Sequence, residues 1–163
     1  MSRKNVVKIL AVLFVVFGAF GMAMAQMPNP YGTAISLENA KKAAAPALAE
    51  AARNNWRVAV AIVGPAGTLI YYEKMDNTQL GSAEVAIDKA RTATLFKRPT
   101  KAFQDAVAAG GEGLRLLTLK GVVAAEGGIP LVMDGKIVGA IGVSGATSAQ
   151  DAQCAKAGAD TVK

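Results

Sequence analysis

The sequence predicts an α+β domain in which helices pack on an antiparallel sheet, and three observations carry that prediction. Asp134-Gly135 lies between two apolar runs, Ile129–Met133 and Ile137–Val143. Asp-Gly in that setting marks a two-residue hairpin, because both central residues of a type I′ turn take positive φ. A second pair of apolar runs, Val58–Val63 and Leu69–Glu73, flanks the tight-turn signal Gly64-Pro65-Ala66-Gly67. The helical stretches fall before, between and after these hairpins. They do not alternate with single strands, which argues against a parallel βαβ fold.

The elements follow in order. Arg3, Lys4 and Lys8 precede an apolar run from Ile9 to Phe20, and Ala23-Met24-Ala25 fits the small-x-small cleavage rule. Residues 1–25 therefore read as a secretory signal peptide, with Gln26 as the mature N-terminus of an exported protein; the alternative is an uncleaved membrane anchor, which the shortness of the run and the cleavage-type site disfavour. Pro28, Pro30 and Gly32 make residues 26–35 an extended lead-in, and residues 36–163 form a single domain. Ser36 is the expected N-cap of a helix from Leu37 to Arg53, kinked at Pro46 and ended by Asn54-Asn55.

After the first hairpin, Ser82 is expected to open a helix over about Ala83 to Lys97. Arg98-Pro99-Thr100 breaks it, and Thr100 caps a shorter helix through Ala109. Gly110, Gly111 and Gly113 make a flexible connection, while Leu114–Leu119 fits a helical turn or a strand equally. Val122–Ala125 is expected as a strand running into the Gly127-Gly128 bend. Ser148 is the expected cap of a last helix to about Val162.

Composition narrows the function classes. Of 18 Lys and Arg, three lie in the signal, leaving 15 against 12 acidic residues and a mature charge of +3. Without a basic cluster interleaved with aromatics, nucleic acid is a poor partner. Cys154 is the one cysteine, so no intrachain disulfide forms. Histidine is absent, which excludes Ser-His-Asp and Cys-His catalysis and histidine ligation of haem iron within this chain.

Candidate site residues come from pattern. Val85, Lys89, Thr92 and Phe96 share one helical stripe, so Lys89 either snorkels to solvent or lines a pocket and binds a carboxylate. Glu126, before Gly127-Gly128 and Pro130, is its candidate acidic partner or else a surface carboxylate. The two glycine amides can receive an oxyanion or simply form a turn. Arg98 can clamp an anion, and Phe96 and Phe103 form either an aromatic wall or core.

In combination, several motifs resemble the GlcG/HbpS family of small haem-binding-type proteins, related to the C-terminal domain of PduO-type proteins. They are Lys74-Met75-Asp76, Ala86–Ala93 running into Phe96-Lys97-Arg98-Pro99-Thr100, and Gly127-Gly128-Ile129-Pro130. Gly139–Gly145, Gln150-Asp151 and Ala157-Gly158 complete the set. The resemblance implies a profilin-like domain, homo-oligomers, and haem or a related tetrapyrrole as ligand in some members. Histidine ligation described for some members has no counterpart here, so haem would need Tyr, Met, Cys or Lys, or no side-chain ligand.

The expected function is exported small-ligand binding, with haem or a tetrapyrrole first. The ligand set is Lys89, Thr92, Phe96, Arg98, Phe103, Glu126, Gly127, Gly128 and Pro130, and no metal site is expected. Two alternatives stand beside it. One is a cofactor-free small-molecule enzyme using Lys89 and Glu126. The other is a structural or sensory homo-oligomer whose glycine-rich strands let subunits pack closely.

Overall fold

The computed structural model describes residues 27–163, so the signal-peptide expectation lies outside the described residues. Four strands form one antiparallel sheet: β1 (Ala59–Val63), β2 (Leu69–Lys74), β3 (Gly128–Met133) and β4 (Lys136–Ser144), in the order β2-β1-β4-β3. The helices are α1 (Leu37–Arg53), α2 (Ser82–Leu95), α3 (Thr100–Ala108) and α4 (Ser148–Ala159). A 3-10 helix, Gly111–Thr118, follows α3.

Both expected hairpins form. Asp134 and Gly135 take φ of 50° and 73°, as a type I′ turn requires, and Met133 pairs with Lys136 across it. Helices cover both faces of the sheet rather than one, and the strands show why. Along β1 every residue is buried. Val60 and Ile62 join the alanines of α1 and the Cys154–Ala155 stretch of α4 on one face. Ala59 and Ala61 turn to Ala86 of α2 on the other. Alternation along a strand thus feeds two cores.

Glycine brings α2 close. A Cβ on Gly142 would overlap the Ala86 carbonyl oxygen, and one on Gly128 would overlap the Lys89 carbonyl. At these positions the glycine-rich strands accommodate helix backbone. Lys89 and Thr92 are thereby held against the sheet on the inner face of α2.

Local details depart from expectation where tertiary contacts compete. α1 itself keeps its expected bounds, with Pro46 inside it and Ser36 as its cap, whose hydroxyl accepts from the Asn39 amide. Ser82 is the first residue of α2 instead of its cap, with its hydroxyl buried and unpartnered. Thr100 does not cap α3, because its hydroxyl accepts from the Gly128 amide at 2.8 Å. Val122–Ala125 is irregular chain, not a strand; Val123 N–H goes to the Thr92 hydroxyl at 3.0 Å instead of to a neighbouring strand. Of the ambiguous stretch before it, Leu114–Thr118 lies within the 3-10 helix and Leu119 is that helix's C-cap, which settles the choice between helical turn and strand.

The last helix is capped one residue earlier than expected. Thr147 accepts from Gln150 N–H while the Gln150 side chain returns to the Thr147 amide, a full capping box. Thr147→Ala should therefore cost about 1 kcal/mol in urea unfolding, and Ser148→Ala only a few tenths. Equal losses would return the cap to Ser148.

The lead-in is anchored rather than loose. Ile137 N–H donates to Pro30 O at 2.8 Å and Gly32 N–H to Ile137 O at 2.9 Å, extending the sheet beside β4. Lys97, at a left-handed φ of 51°, donates to Asn29 O at 3.0 Å and lies over the Tyr31 ring.

Candidate functional site

Lys89 does not snorkel. Its side chain is 2% exposed, and its ammonium donates to Asp151 Oδ2 at 2.8 Å and to Val143 O at 3.0 Å. The acidic partner is thus Asp151 of α4, not Glu126, which corrects the expected acid/base pair. Asp151 is held by the capping box four residues before it, and its other oxygen accepts from Ala146 N–H at 3.0 Å. Burial pushes the Asp151 carboxyl above its ordinary range, and the Lys89 ammonium beside it pulls the other way.

Glu126 stands elsewhere. Its amide donates to Gln104 Oε1 at 2.9 Å, at the mouth of a cleft of about 360 Å³. Pro99, Ala102, Ile129 and Ala152 supply the apolar lining, with Lys101, Asp105 and Glu126 as charged members and Gly127-Gly128 between them. Lys101 and Asp105 pair across one helical turn at 2.8 Å. The cleft sits at the start of α3, where the bend leads into β3.

Gly127 connects the two sites. At φ 126°, its missing Cβ would lie 2.9 Å from Lys89 Nζ and 3.0 Å from Asp151 Cβ. The buried ion pair therefore lies directly behind a backbone segment that lines the cleft. The Gly128 amide is committed to Thr100, so it is not free for an oxyanion.

The remaining predicted residues divide by location. Thr92 is buried and ties down the chain at Gly121 and Val123. Phe96 and Phe103 meet edge to face at 5.5 Å, and Phe103 is 1% exposed, which makes this pair a core contact. Arg98 lies over the Phe103 ring at 5.3 Å. Pro130 is buried in β3 opposite Ala140. Of the nine predicted residues, Glu126, Gly127 and Gly128 line the cleft.

Absent from the predicted set are the cleft's Pro99, Lys101, Ala102, Asp105, Ile129 and Ala152. The i, i+4 spacing of Lys101 and Asp105 is a visible signal of a paired helix face, but nothing local reports that this face borders a cleft. Cys154 is buried, and desolvation, with the Asp151 charge second, pushes its thiol up to about 11. A second groove of about 350 Å³, lined by Gly32–Ser36, Asn39, Met133 and Lys136 among others, contains none of the predicted residues. Among the described residues, no group of three His, Cys, Asp or Glu side chains is placed to hold a metal ion, and no helix is long and apolar enough to cross a membrane.

Comparison with known proteins places the chain in a family. The family described as "Haem degrading protein HbpS-like" matches residues 35–160. The chain belongs to that family. It is 41% identical to Protein GlcG of Escherichia coli strain K12 over 95 residues, which cover 58% of this chain and 69% of GlcG. A crystal structure of a double mutant of HbpS from Streptomyces reticuli superposes with a TM-score of 0.74 at 32% identity, covering 81% of this chain and 89% of that one. The crystal structure of a PduOC:heme complex superposes with a TM-score of 0.72 at 29% identity, covering 80% and 96%. The resemblance drawn from the glycine motifs and the α+β fold both hold. Within this HbpS-like fold, the cleft combines apolar lining with Lys101, Asp105 and Glu126, and the buried pair lies behind it.

Proposed function

We propose that this chain is an exported binding protein that takes haem or a related tetrapyrrole in the cleft at Glu126–Gly128, without a histidine ligand. The observation that carries the reading is the lining of the cleft. Pro99, Ala102, Ile129 and Ala152 offer apolar surface for a flat ring, and Lys101 offers an ammonium for a ring carboxylate. Membership of a family described as haem degrading, and a haem complex on the same fold, support it.

The residues present fit haem in a particular way. The cleft lies at the lower end of the usual volume range for small-ligand sites, so it seats part of a macrocycle. Of the Tyr, Met, Cys and Lys donors expected from the sequence, only Lys101 is among the cleft residues. Glu126 and Asp105 add carboxylate oxygens to the lining. Bound haem would supply the redox-active iron, and the protein would supply the apolar seat, the ammonium and the carboxylates. Lys89 stands behind Gly127 with its ammonium committed to Asp151 and Val143, so its part is to brace the backbone that lines the cleft.

The test is a haemin titration of the chain beginning at Gln26, followed by absorbance and size-exclusion chromatography. The expected result is a saturable, stoichiometric Soret shift that co-elutes with the protein. It should weaken about tenfold or more in Lys101→Glu, which reverses the charge offered to a ring carboxylate. A shift that never saturates, or one indifferent to Lys101, would remove the cleft from the reading. Export is tested separately by N-terminal sequencing of the protein recovered outside the cytoplasm, with Gln26 as the expected first residue.

A further inference from the structure

We propose that the segment from Gly111 to Leu119 is the second wall of the ligand site, folding its leucines over a flat apolar molecule seated in the cleft. This inference rests on the preceding reading of the cleft. The segment is a 3-10 helix of eight residues, Gly111–Thr118, with no buried side chain, and its C-cap Leu119. Such helices seldom exceed three or four residues, because their hydrogen-bond geometry is poorer than that of an α-helix. Leu114 is 49% exposed, Leu117 65% and Leu119 40%, an unusual density of apolar surface on a segment that is itself packed on so little.

Its position ties it to the cleft. It follows α3, which carries the cleft residues Lys101, Ala102 and Asp105, and the chain returns to the cleft at Glu126. Gly113 rests so closely on the Ala106 carbonyl, one turn along from Ala102, that a Cβ there would overlap it.

The ends of the segment are built to turn. Gly110, Gly111 and Gly121 hold φ of 71°, 55° and 77°, and a Cβ on any of them would meet open space. The space beside each is open, and what holds them is hydrogen bonding: Gly110 N–H to Val107 O, Gly113 N–H to Gly110 O, and the Thr92 hydroxyl to Gly121 O. The returning chain is held by side-chain bonds from Thr92 to Gly121 and Val123 and from Gln104 to Glu126. The cleft carries apolar wall at Pro99, Ala102, Ile129 and Ala152, and the leucines are half-exposed apolar surface on the stretch of chain that joins its charged residues Asp105 and Glu126. A tetrapyrrole has two apolar faces and fits between them.

Limited trypsin digestion of the chain from Gln26, with and without saturating haemin, tests this. Arg115 and Lys120 are exposed and flank the leucines, so they are the expected early cuts in the free protein. Haemin should slow both cuts by about tenfold or more, while cleavage of an unrelated peptide in the same tube keeps its rate. Stoichiometric haemin binding with unchanged cutting would overturn the wall and leave the cleft reading intact. No haemin binding at all would remove the cleft reading and the wall with it. Protection that needs no haemin and grows with protein concentration would assign the leucines to a contact between copies of the chain, which also overturns the inference. A second measurement does not depend on proteolysis. Leu114→Ser combined with Leu117→Ser should weaken haemin binding about tenfold at an unchanged melting temperature; unchanged affinity would overturn the wall.

Discussion

Lys89→Met is expected to lower the unfolding free energy by about 3–5 kcal/mol near neutral pH, because it leaves the Asp151 carboxylate buried without its ammonium. The deficit should depend on pH in a defined direction. Burial already raises the Asp151 carboxyl in the intact protein, and losing the ammonium that pulls it down raises it further. A carboxyl whose folded pKa exceeds its unfolded value of about 4 adds stability below that value and loses it as pH climbs through the folded pKa. The deficit should therefore be smallest under acid conditions, where the carboxyl is protonated with or without Lys89, and grow once pH passes the raised Asp151 pKa of the intact protein. Adding Asp151→Asn should recover more than half of the loss, since the amide oxygen can still accept from Ala146 N–H. Urea titrations of the single and double variants at two pH values check this. A loss below about 1 kcal/mol in Lys89→Met would show that the pair does not hold α2 to α4.

Gly142→Val is expected to prevent folding or to cost about 3 kcal/mol or more. The added carbon would occupy the position of the Ala86 carbonyl oxygen, and a backbone atom cannot rotate away as a side chain can. Gly128→Val should fail for the same reason against the Lys89 carbonyl, so it cannot serve as a clean probe of ligand approach at the bend. Gly81→Ala provides the control. Gly81 has an ordinary φ of −64° and open space around it, so its replacement should change stability by less than about 0.5 kcal/mol. Circular dichroism and soluble yield distinguish the cases. A well-folded Gly142→Val would mean that α2 can lift from the sheet without loss.

The fold was legible where the signal was local. Asp134-Gly135 specified its turn through φ alone, and Ser36 specified the start of α1 through one hydroxyl. Legibility failed where a side chain had a distant use. Thr100 carries a cap residue's hydroxyl, but Gly128, 28 positions away in sequence, takes it. Thr92 likewise takes the Val123 amide from a stretch whose apolar residues suggested a strand. The site followed the same rule. The stripe through Lys89 marks a lysine on the inner face of α2, yet its partner lies 62 residues away and not at Glu126 beside the two glycines. Gly127 and Gly128 drew attention as backbone approach points. What approaches Gly128 is the carbonyl of Lys89, information that no single segment contains.

The intimacy of α2 and the sheet has a chemical side. Where a Cβ on Gly142 or Gly128 would strike a carbonyl oxygen, the glycine instead directs a hydrogen along that line. Each is then a carbon donor to an oxygen that α2 already uses in its own ladder, a weak bond of about 0.5–1 kcal/mol. Lys89 is thus gripped at both ends: a C–H group of Gly128 engages its carbonyl, while Asp151 and Val143 engage its ammonium. A long and flexible side chain becomes a fixed strut spanning helix, sheet and the neighbouring helix, which lets a single cation hold its position behind Gly127.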